Sequence, residues 1–109
     1  MKIDYRIRKN EEFDRIIKLR KSFSSPCFVI YFDDRLMDHS RIGISVSKKL
    51  GEAVERNKIK RQLRMMLLDI VDFENCKKDM LVIVRNGYLK NDFNTNKTDL
   101  EKIVKKAII

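Results

Sequence analysis

Positively charged side chains crowd into the segment from residue 41 to residue 64. The segment holds eight Lys or Arg residues and only two acids, Glu52 and Glu55, so it supplies six of the nine net positive charges of the 109-residue chain. Each ammonium or guanidinium that docks on a phosphate releases a condensed counterion, so such a surplus attracts a polyanion. The sequence therefore predicts binding of a nucleic acid. The eight cations are Arg41, Lys48, Lys49, Arg56, Lys58, Lys60, Arg61 and Arg64.

Side chains that could catalyse a reaction on their own are scarce. His39 is the only histidine, which excludes general acid and base catalysis by a histidine pair. Asp33, Asp34 and Asp38 lie in a polar stretch, where their spacing favours turn formation over a metal cluster. The two cysteines stand alone, without the nearby partner that a metal knuckle or redox pair needs. The sequence thus predicts neither a catalytic residue nor a metal site.

A long helix should position most of the cations. It is predicted from about Glu52 to Phe73, because apolar residues recur there at the i, i+4, i+7, i+8, i+11 spacing of one buried stripe. At about 100° per residue, Asn57, Arg61 and Arg64 fall within about 60° of one another, roughly opposite the stripe, with Lys60 on its flank. The helix therefore has a core side and a cationic side. The stripe consists of Ile59, Leu63, Met66, Leu67 and Ile70.

Two strands are predicted ahead of this helix. The run from Cys27 to Phe32 follows a proline and is rich in β-branched and aromatic residues, which is typical of a strand. The polar residues 33–40 suit a hairpin to a second strand, Arg41 to Ser47. Ile42, Ile44 and Val46 alternate there with small residues, so one face is apolar and the other leaves room for a ligand. The small face consists of Gly43, Ser45 and Ser47.

The first helix should begin at Asn10. This residue suits a helix cap, and the two glutamates that follow it are favoured by the positive end of the helix dipole. Phe13, Ile16 and Ile17 then recur at helical spacing. We expect this helix to end near Lys21.

The last third of the chain should contain a strand and a helix. The apolar run between Asp79 and Arg85 is typical of a strand that is covered on both faces, and residues 86–87 are expected to turn the chain. Thr98 followed by Glu101 fits a capping box at the start of a final amphipathic helix.

Length and composition favour one folded domain over residues 1–109. A chain of this size buries roughly 65% of its unfolded surface around a single core. The hydrophobic fraction of 43% is ordinary for a folded protein. No apolar run approaches the about 20 residues that span a bilayer, and the charged N-terminus lacks the apolar centre of a secretory signal. We therefore expect a cytoplasmic protein with no membrane partner.

The cationic segment resembles the signature of the bacterial ribonuclease P protein component. That resemblance rests on the run RIGISVSKK at residues 41–49, then Gly51, Ala53-Val54, Arg56-Asn57-Lys58, Lys60-Arg61 and Arg64. The opening residues 6–13 and the strand at residues 28–31 are also similar, so the match spans nearly the whole chain. The chain departs from the family pattern at two positions. Lys58 stands where an arginine is usual, and a lysine keeps the charge but cannot bind a phosphate through two parallel N–H groups as an arginine can. Ile17 stands where some members have a second aromatic residue.

The resemblance implies an α+β fold. The expected architecture is an α/β sandwich of the ribosomal protein S5 domain 2-like type, with a mixed sheet of about four strands packed against about three helices. It also implies a left-handed β-α-β crossover, although general rules favour the opposite hand.

The resemblance also implies a function. Such a protein is the small subunit of a ribonucleoprotein whose RNA cuts the 5′ leader from precursor tRNA by Mg²⁺-dependent hydrolysis. The Mg²⁺ would be held mainly by the RNA, no organic cofactor is implied, and one protein monomer is expected per RNA. The residues expected to face the catalytic RNA are Arg56, Asn57, Lys58, Lys60, Arg61 and Arg64. Those expected to line a cleft for the leader are Phe13, Ile17, Tyr31, Ser45, Ser47, Lys48 and Arg85.

Some of these assignments have structural alternatives. Phe13 and Tyr31 could stack on bases or ribose, but the sequence alone favours a place in the core for either aromatic, and only the resemblance raises the cleft to an equal alternative. Ser45 and Ser47 could donate hydrogen bonds to phosphates or simply be tolerated on a partly exposed strand. The residues alone therefore do not decide whether a leader cleft exists, and its assignment depends on the resemblance.

Two other functions fit the same residues. A general RNA-binding or ribosomal protein would use the same basic helix and would bind structured RNAs regardless of leader length. A protein-only nuclease would work through the aspartates near Asp33 and would cleave without an RNA cofactor. Patterned cations combined with missing catalytic side chains favour the ribonucleoprotein subunit.

Overall fold

The computed structural model describes residues 1–108 and contains three α-helices and one four-stranded mixed sheet, which confirms the predicted α+β class. None of the helices in this range is long and apolar enough to cross a membrane. In chain order the elements are α1 (Asn10–Lys18), β1 (Ser22–Ser24), β2 (Phe28–Asp34), β3 (Ile42–Ser45), α2 (Ala53–Ile70), β4 (Lys78–Val84) and α3 (Phe93–Ile108), with short 3-10 turns at Ile3–Tyr5, Lys48–Leu50 and Asn86–Lys90.

The strand order is β1-β2-β4-β3, so β4 lies inside the sheet and is paired on both edges. β4 is antiparallel to β2, with Tyr31 opposite Leu81. β4 is parallel to β3, with Gly43 opposite Leu81, so β3, α2 and β4 form the β-α-β crossover that the family resemblance implies.

The predicted hairpin between β2 and β3 is wrong. These strands are not neighbours, because β4 is inserted between them. The position inside the sheet pairs both edges of β4, while the large core on one face and the cluster under α1 on the other bury its apolar residues. A polar turn sequence shows only that the chain leaves one strand before it enters another. It does not show which strands pair.

The two faces of the sheet are covered unequally. One face packs on α2 and α3 in a large core that includes Phe28 and Val82 of the sheet, Leu63 of α2 and Leu100 of α3. The other face is covered only by the short α1 and the N-terminal segment, where Ile7, Ile16 and Leu81 are buried together with half-buried Phe13, Ile17 and Tyr31. Part of this second face therefore remains open.

The structure corrects both ends of the first helix. Asn10 is the first helical residue, and Lys9 occupies the cap position without a side-chain hydrogen bond. The helix ends at Lys18 rather than near Lys21, because the chain reverses at Arg20, whose φ of 56° lies in the left-handed region. That reversal leads into β1, a three-residue strand that the sequence analysis did not predict.

The last helix begins five residues earlier than the predicted cap at Thr98. Asp92 caps it instead, because its Oδ1 accepts a hydrogen bond from the backbone N–H of Thr95 at 2.8 Å. The hydroxyl of Thr98 donates to the carbonyl of Asn94 one turn back, so Thr98 lies inside the helix and no capping box forms there. The long helix α2 is likewise slightly shorter than predicted and ends at Ile70.

Candidate nucleic-acid interface

The N-terminal half of α2 carries cations that no acid neutralises. Its core side packs through Ile59 and Leu63, as the apolar stripe predicted. No salt bridge found among residues 1–108 involves a cation of this helix. Lysine and arginine charges without carboxylate partners keep their full attraction for phosphate. Lys58 and Arg61 are exposed, together with the neutral Asn57, and the half-buried cations of the helix are Arg56, Lys60 and, one turn further on, Arg64.

The half-buried members Lys60 and Arg64 turn toward a cleft of about 400 Å³. This cleft lies between α2, β3 and the chain that enters α1. Phe13 and Ser45 line it as well, so the structure brings four of the predicted site residues together. No acidic residue contributes to its lining. The cations that line it are Arg6, Arg8, Lys60 and Arg64.

Arg6 and Arg64 are neighbouring cations in the cleft. Burial, together with the neighbouring charge of Arg6, lowers the pKa of the Arg64 guanidinium, although an arginine remains protonated under all physiological conditions. The Nε–H groups of both arginines are shielded from solvent and have no acceptor among residues 1–108. Two adjacent cations repel each other, and a phosphate bound in the cleft would offset that repulsion.

A row of three half-buried residues and one exposed residue continues the cleft across the open face of the sheet. Strand pairing places Ser45 of β3 beside Ile83 of β4, Ile83 beside Val29 of β2, and Val29 beside Ser24 of β1. This row lies next to the one that α1 covers. We call the four residues the floor row. It offers a shallow, mainly uncharged surface on which a chain could lie across the strands.

Phe13 stands where the cleft meets this floor. Its ring lies on Gly43, since a Cβ atom added to Gly43 would be 2.6 Å from Phe13 Cζ. The ring is half-buried and lines the cleft, so it serves the core and remains accessible to a ligand. Ile17 and Tyr31 belong to the adjoining apolar cluster under α1 and are also half-buried. The positions of Phe13 and Tyr31 are therefore compatible both with packing in the core and with stacking on RNA.

Ile17 and Tyr31 adjoin the cleft without lining it, and three further predicted cleft residues lie farther from its lining. Ser47 is exposed beyond the end of β3, because the strand stops at Ser45 rather than at Ser47. Lys48 lines a separate groove at the start of α2, which Glu52 and Glu55 share. Arg85 follows β4 and is exposed, and its Nη1 donates to the carbonyl of Ser25 at 3.0 Å.

Sequence reasoning missed two features of the site. Arg6 and Arg8 line the cleft, and the only signal for them is their place in the basic N-terminal segment. The sequence places Arg41 among the cations available to a polyanion, but it is 6% exposed and is paired with carboxylates. Its partners lie on other elements, so no local pattern could reveal that pairing.

The residues of this surface do not fit a Mg²⁺ ion by themselves. Mg²⁺ prefers carboxylate and other oxygen ligands. The cleft lining has no carboxylate, and within residues 1–108 no three His, Cys, Asp or Glu side chains gather as a metal site.

Comparisons with known proteins agree with this geometry. A family model described as Ribonuclease P matches residues 1–108. The ribonuclease P protein component of Mycoplasma mycoides subsp. mycoides is 42% identical over 100 residues, which cover 91% of this chain and 92% of that relative. The protein of the same description from Listeria welshimeri is 39% identical over 106 residues, which cover 96% of this chain and 89% of that relative.

Solved structures with this fold have the same description. The RNase P protein from Staphylococcus aureus has a TM-score of 0.84 and 39% identity, covering 96% of this chain and 98% of that chain. The RNase P protein from Thermotoga maritima has a TM-score of 0.79 and 32% identity, covering 93% of this chain and 96% of that chain. On the family match over residues 1–108 and on these relatives, the chain belongs to the ribonuclease P protein family.

Proposed function

We propose that this chain binds the catalytic RNA of ribonuclease P through the cationic side of α2 and holds the 5′ leader of precursor tRNA in the acid-free cleft beside it. Family membership makes the chain a subunit of this endoribonuclease, which produces mature tRNA 5′ ends, and makes ribonuclease P RNA its partner. The observation that carries the finer assignment is the continuity of the two surfaces. Lys60 and Arg64 belong to α2 and also line the cleft.

The chemistry of the cleft supports catalysis by the RNA. Hydrolysis of a phosphodiester needs an activated water and stabilisation of the charge that develops on the phosphate. The cleft offers cations, Asn10, Ser45 and Phe13, but no His or carboxylate to act as a general base. The protein is therefore suited to bind and orient RNA, and the reacting Mg²⁺ ions are assigned to the RNA subunit.

The floor row supports an extended single strand as the second ligand. An unpaired leader can splay its bases, and aromatic side chains such as Phe13 and Tyr31 stack with such bases for about 1–3 kcal/mol each. The phosphates on one side of that strand would face Arg6 and Arg64 in the cleft. Because one chain supplies all these residues, one protein copy per RNA suffices.

Reconstitution tests this function directly. The protein is added to a bacterial ribonuclease P RNA, and cleavage of precursor tRNA is measured against Mg²⁺ concentration and against leader length. We expect the protein to lower the Mg²⁺ requirement, and we expect its benefit to grow with leader length until the cleft is filled. A benefit that ignores leader length would instead favour a general RNA-binding protein. Cleavage by the protein without RNA would favour a protein-only nuclease.

A further inference from the structure

The outward face of α2 carries apolar side chains in line with its cations. Val54, Met65 and Leu68 are 79%, 56% and 52% exposed, although each is large and hydrophobic. With about 100° per residue, these three and Arg61 fall within an arc of about 60°, along about 21 Å of helix. We call these four residues the outward stripe. Apolar residues therefore flank a cation at both ends of a single face.

Scattered exposed apolar residues are normal and need no explanation. The outward stripe differs because its members are aligned on one rigid element and share it with a charged group. A helix face that served only solubility would place polar side chains at positions 65 and 68. This arrangement instead resembles an interface with an apolar part and a charged part.

The charge of the face selects the kind of partner. Arg61 lies midway between Val54 and Leu68, and Lys58 and Arg64 lie close to it on the same helix. A second copy of the chain packed on this face by twofold symmetry would place Arg61 against its own equivalent, and like charges so placed repel. An RNA has no such conflict, because its phosphates meet the cations while its bases and ribose carbons meet the apolar side chains.

We propose that Met65 and Leu68, with Val54 at the opposite end, pack against unstacked bases of ribonuclease P RNA. This proposal rests on the proposed function, which seats that RNA on α2, and adds an apolar contact that phosphate binding does not require. Unpaired bases in loops and bulges expose flat apolar surfaces that proteins recognise by stacking and packing. The thioether of Met65 is suited to this contact because sulfur packs favourably against aromatic rings.

The salt dependence of binding separates apolar from ionic contacts. A phosphate contact releases counterions, so its loss changes the slope of log affinity against log salt, whereas loss of an apolar contact weakens binding equally at every salt concentration. We would measure the affinity of the full chain for ribonuclease P RNA at four salt concentrations. The variants are Met65→Gln with Leu68→Gln, Arg61→Ala, and Leu36→Gln, which changes an even more exposed leucine in the β2–β3 loop. Glutamine preserves side-chain length and helix propensity.

We expect the double glutamine variant to bind about tenfold more weakly at every salt concentration with the slope of the original protein. Arg61→Ala should flatten the slope by roughly 0.7 to 0.9, and Leu36→Gln should change nothing. Unchanged affinity of the double variant, alongside a flattened slope for Arg61→Ala, would overturn this inference and leave the proposed function standing. Failure of the original protein to bind the RNA would instead remove the proposed function.

Two further measurements keep the result interpretable. Melting temperature is compared among all variants, and if the double variant melts lower, the single variants Met65→Gln and Leu68→Gln take its place and are each expected to bind severalfold more weakly. Sedimentation of the original protein without RNA tests whether a second copy of the chain binds the outward stripe instead. A dimer that the double variant dissociates would assign the face to a second copy of the chain and overturn the RNA contact.

Discussion

Arg41 bonds to Glu12 through its guanidinium Nη2, at 2.6 Å from the carboxylate Oε2, and this pair ties helix α1 to the start of β3. The same nitrogen lies 3.3 Å from Oδ2 of Asp79, a fully buried residue of β4. The other carboxylate oxygen of Asp79 accepts the backbone N–H of Arg41 at 2.9 Å. Helix α1, the start of β3 and strand β4 therefore meet at the buried guanidinium of Arg41.

Replacing Arg41 with Met should destabilise the protein severely. The substitution leaves the carboxylate of Asp79 buried without its cation, and removing one partner from a buried ion pair typically costs about 3–5 kcal/mol in free energy of unfolding. Urea denaturation measures this loss. Arg15→Met is the matched control, because Arg15 pairs with Asp33 at 2.7 Å in a more exposed place and should cost at most about 1 kcal/mol. Equal losses of unfolding free energy in the two variants would show that the buried Arg41–Asp79 pair matters no more to stability than the more exposed Arg15–Asp33 pair.

Glu12→Gln should remove part of the acid sensitivity of the fold. The hydrogen bond from Arg41 lowers the pKa of the Glu12 carboxyl below its ordinary value of 4.5. A carboxyl with a depressed folded-state pKa stabilises the fold above its unfolded pKa, and that stabilisation is lost as pH falls through the folded-state pKa. At pH 7 we expect the variant to be less stable by about 1 kcal/mol, since a neutral acceptor replaces a charged one.

The difference between the two proteins should begin to shrink as the pH falls below about 4.5, where Glu12 of the unfolded chain takes up a proton, and it should be lost as the pH falls through the lower folded-state pKa of Glu12. Urea denaturation at several pH values between 7 and 3.5 measures this difference. Because every other carboxyl group is common to both proteins, their contributions cancel. A difference that stays constant across this range would mean that Glu12 is not held ionised by Arg41.

Gly43→Ala tests how tightly Phe13 is seated. The new Cβ would lie 2.6 Å from Phe13 Cζ and 2.8 Å from Leu81 Cδ2, so at least one side chain must move. Overpacking of this kind typically costs about 1–3 kcal/mol in free energy of unfolding. The loss should be partly recovered when Phe13→Leu is added, because the shorter side chain vacates the space. Strictly additive losses in the double-mutant cycle would show that Phe13 does not rest on Gly43.

The sequence predicts the elements of this fold better than their arrangement. The stripe containing Ile59 and Leu63 predicts α2 and its buried side, because helical periodicity is a local property of the chain. The β1 strand has no such signal, because Ser22–Ser24 is only three residues long, all of them exposed, and shows no alternation of buried and exposed positions. The β2–β4 pairing was missed because it joins residues about 50 positions apart, and no turn signal marks such a contact.

The candidate site likewise has residues that a local pattern predicts and residues that only tertiary contacts bring in. Lys60 and Arg64 were predicted from their helix, and the structure places them beside Phe13 and Ser45. The contribution of Arg6 depends on how the N-terminal segment packs beside β3, where the N–H of Ile7 donates to the carbonyl of Ile42. Tertiary contacts of this kind determine which cations share a cleft, and they have no local sequence signature.

Phe13→Ala should weaken binding of precursor tRNA more than binding of mature tRNA. The proposed stacking involves only a leader base, so its loss should cost about 1–3 kcal/mol for the leader-bearing RNA and little for the mature one. Affinities of the reconstituted ribonucleoprotein for both RNAs measure the two effects. Phe23→Ala is the matched control, because Phe23 stacks on Phe32 and is 39% exposed. By strand alternation Phe23 lies on the face of the sheet opposite to α1, so its loss should affect both RNAs equally.

The ratio of the two affinities is the informative quantity. Phe13 also packs on Gly43, so its truncation lowers stability as well, and a folding defect would weaken both RNAs together. Selective loss for precursor tRNA in a variant that remains folded at the assay temperature would support a leader base on the Phe13 ring. Equal losses would return Phe13 to a purely structural role under α1, and the leader would then have to be held by the cations of the cleft alone.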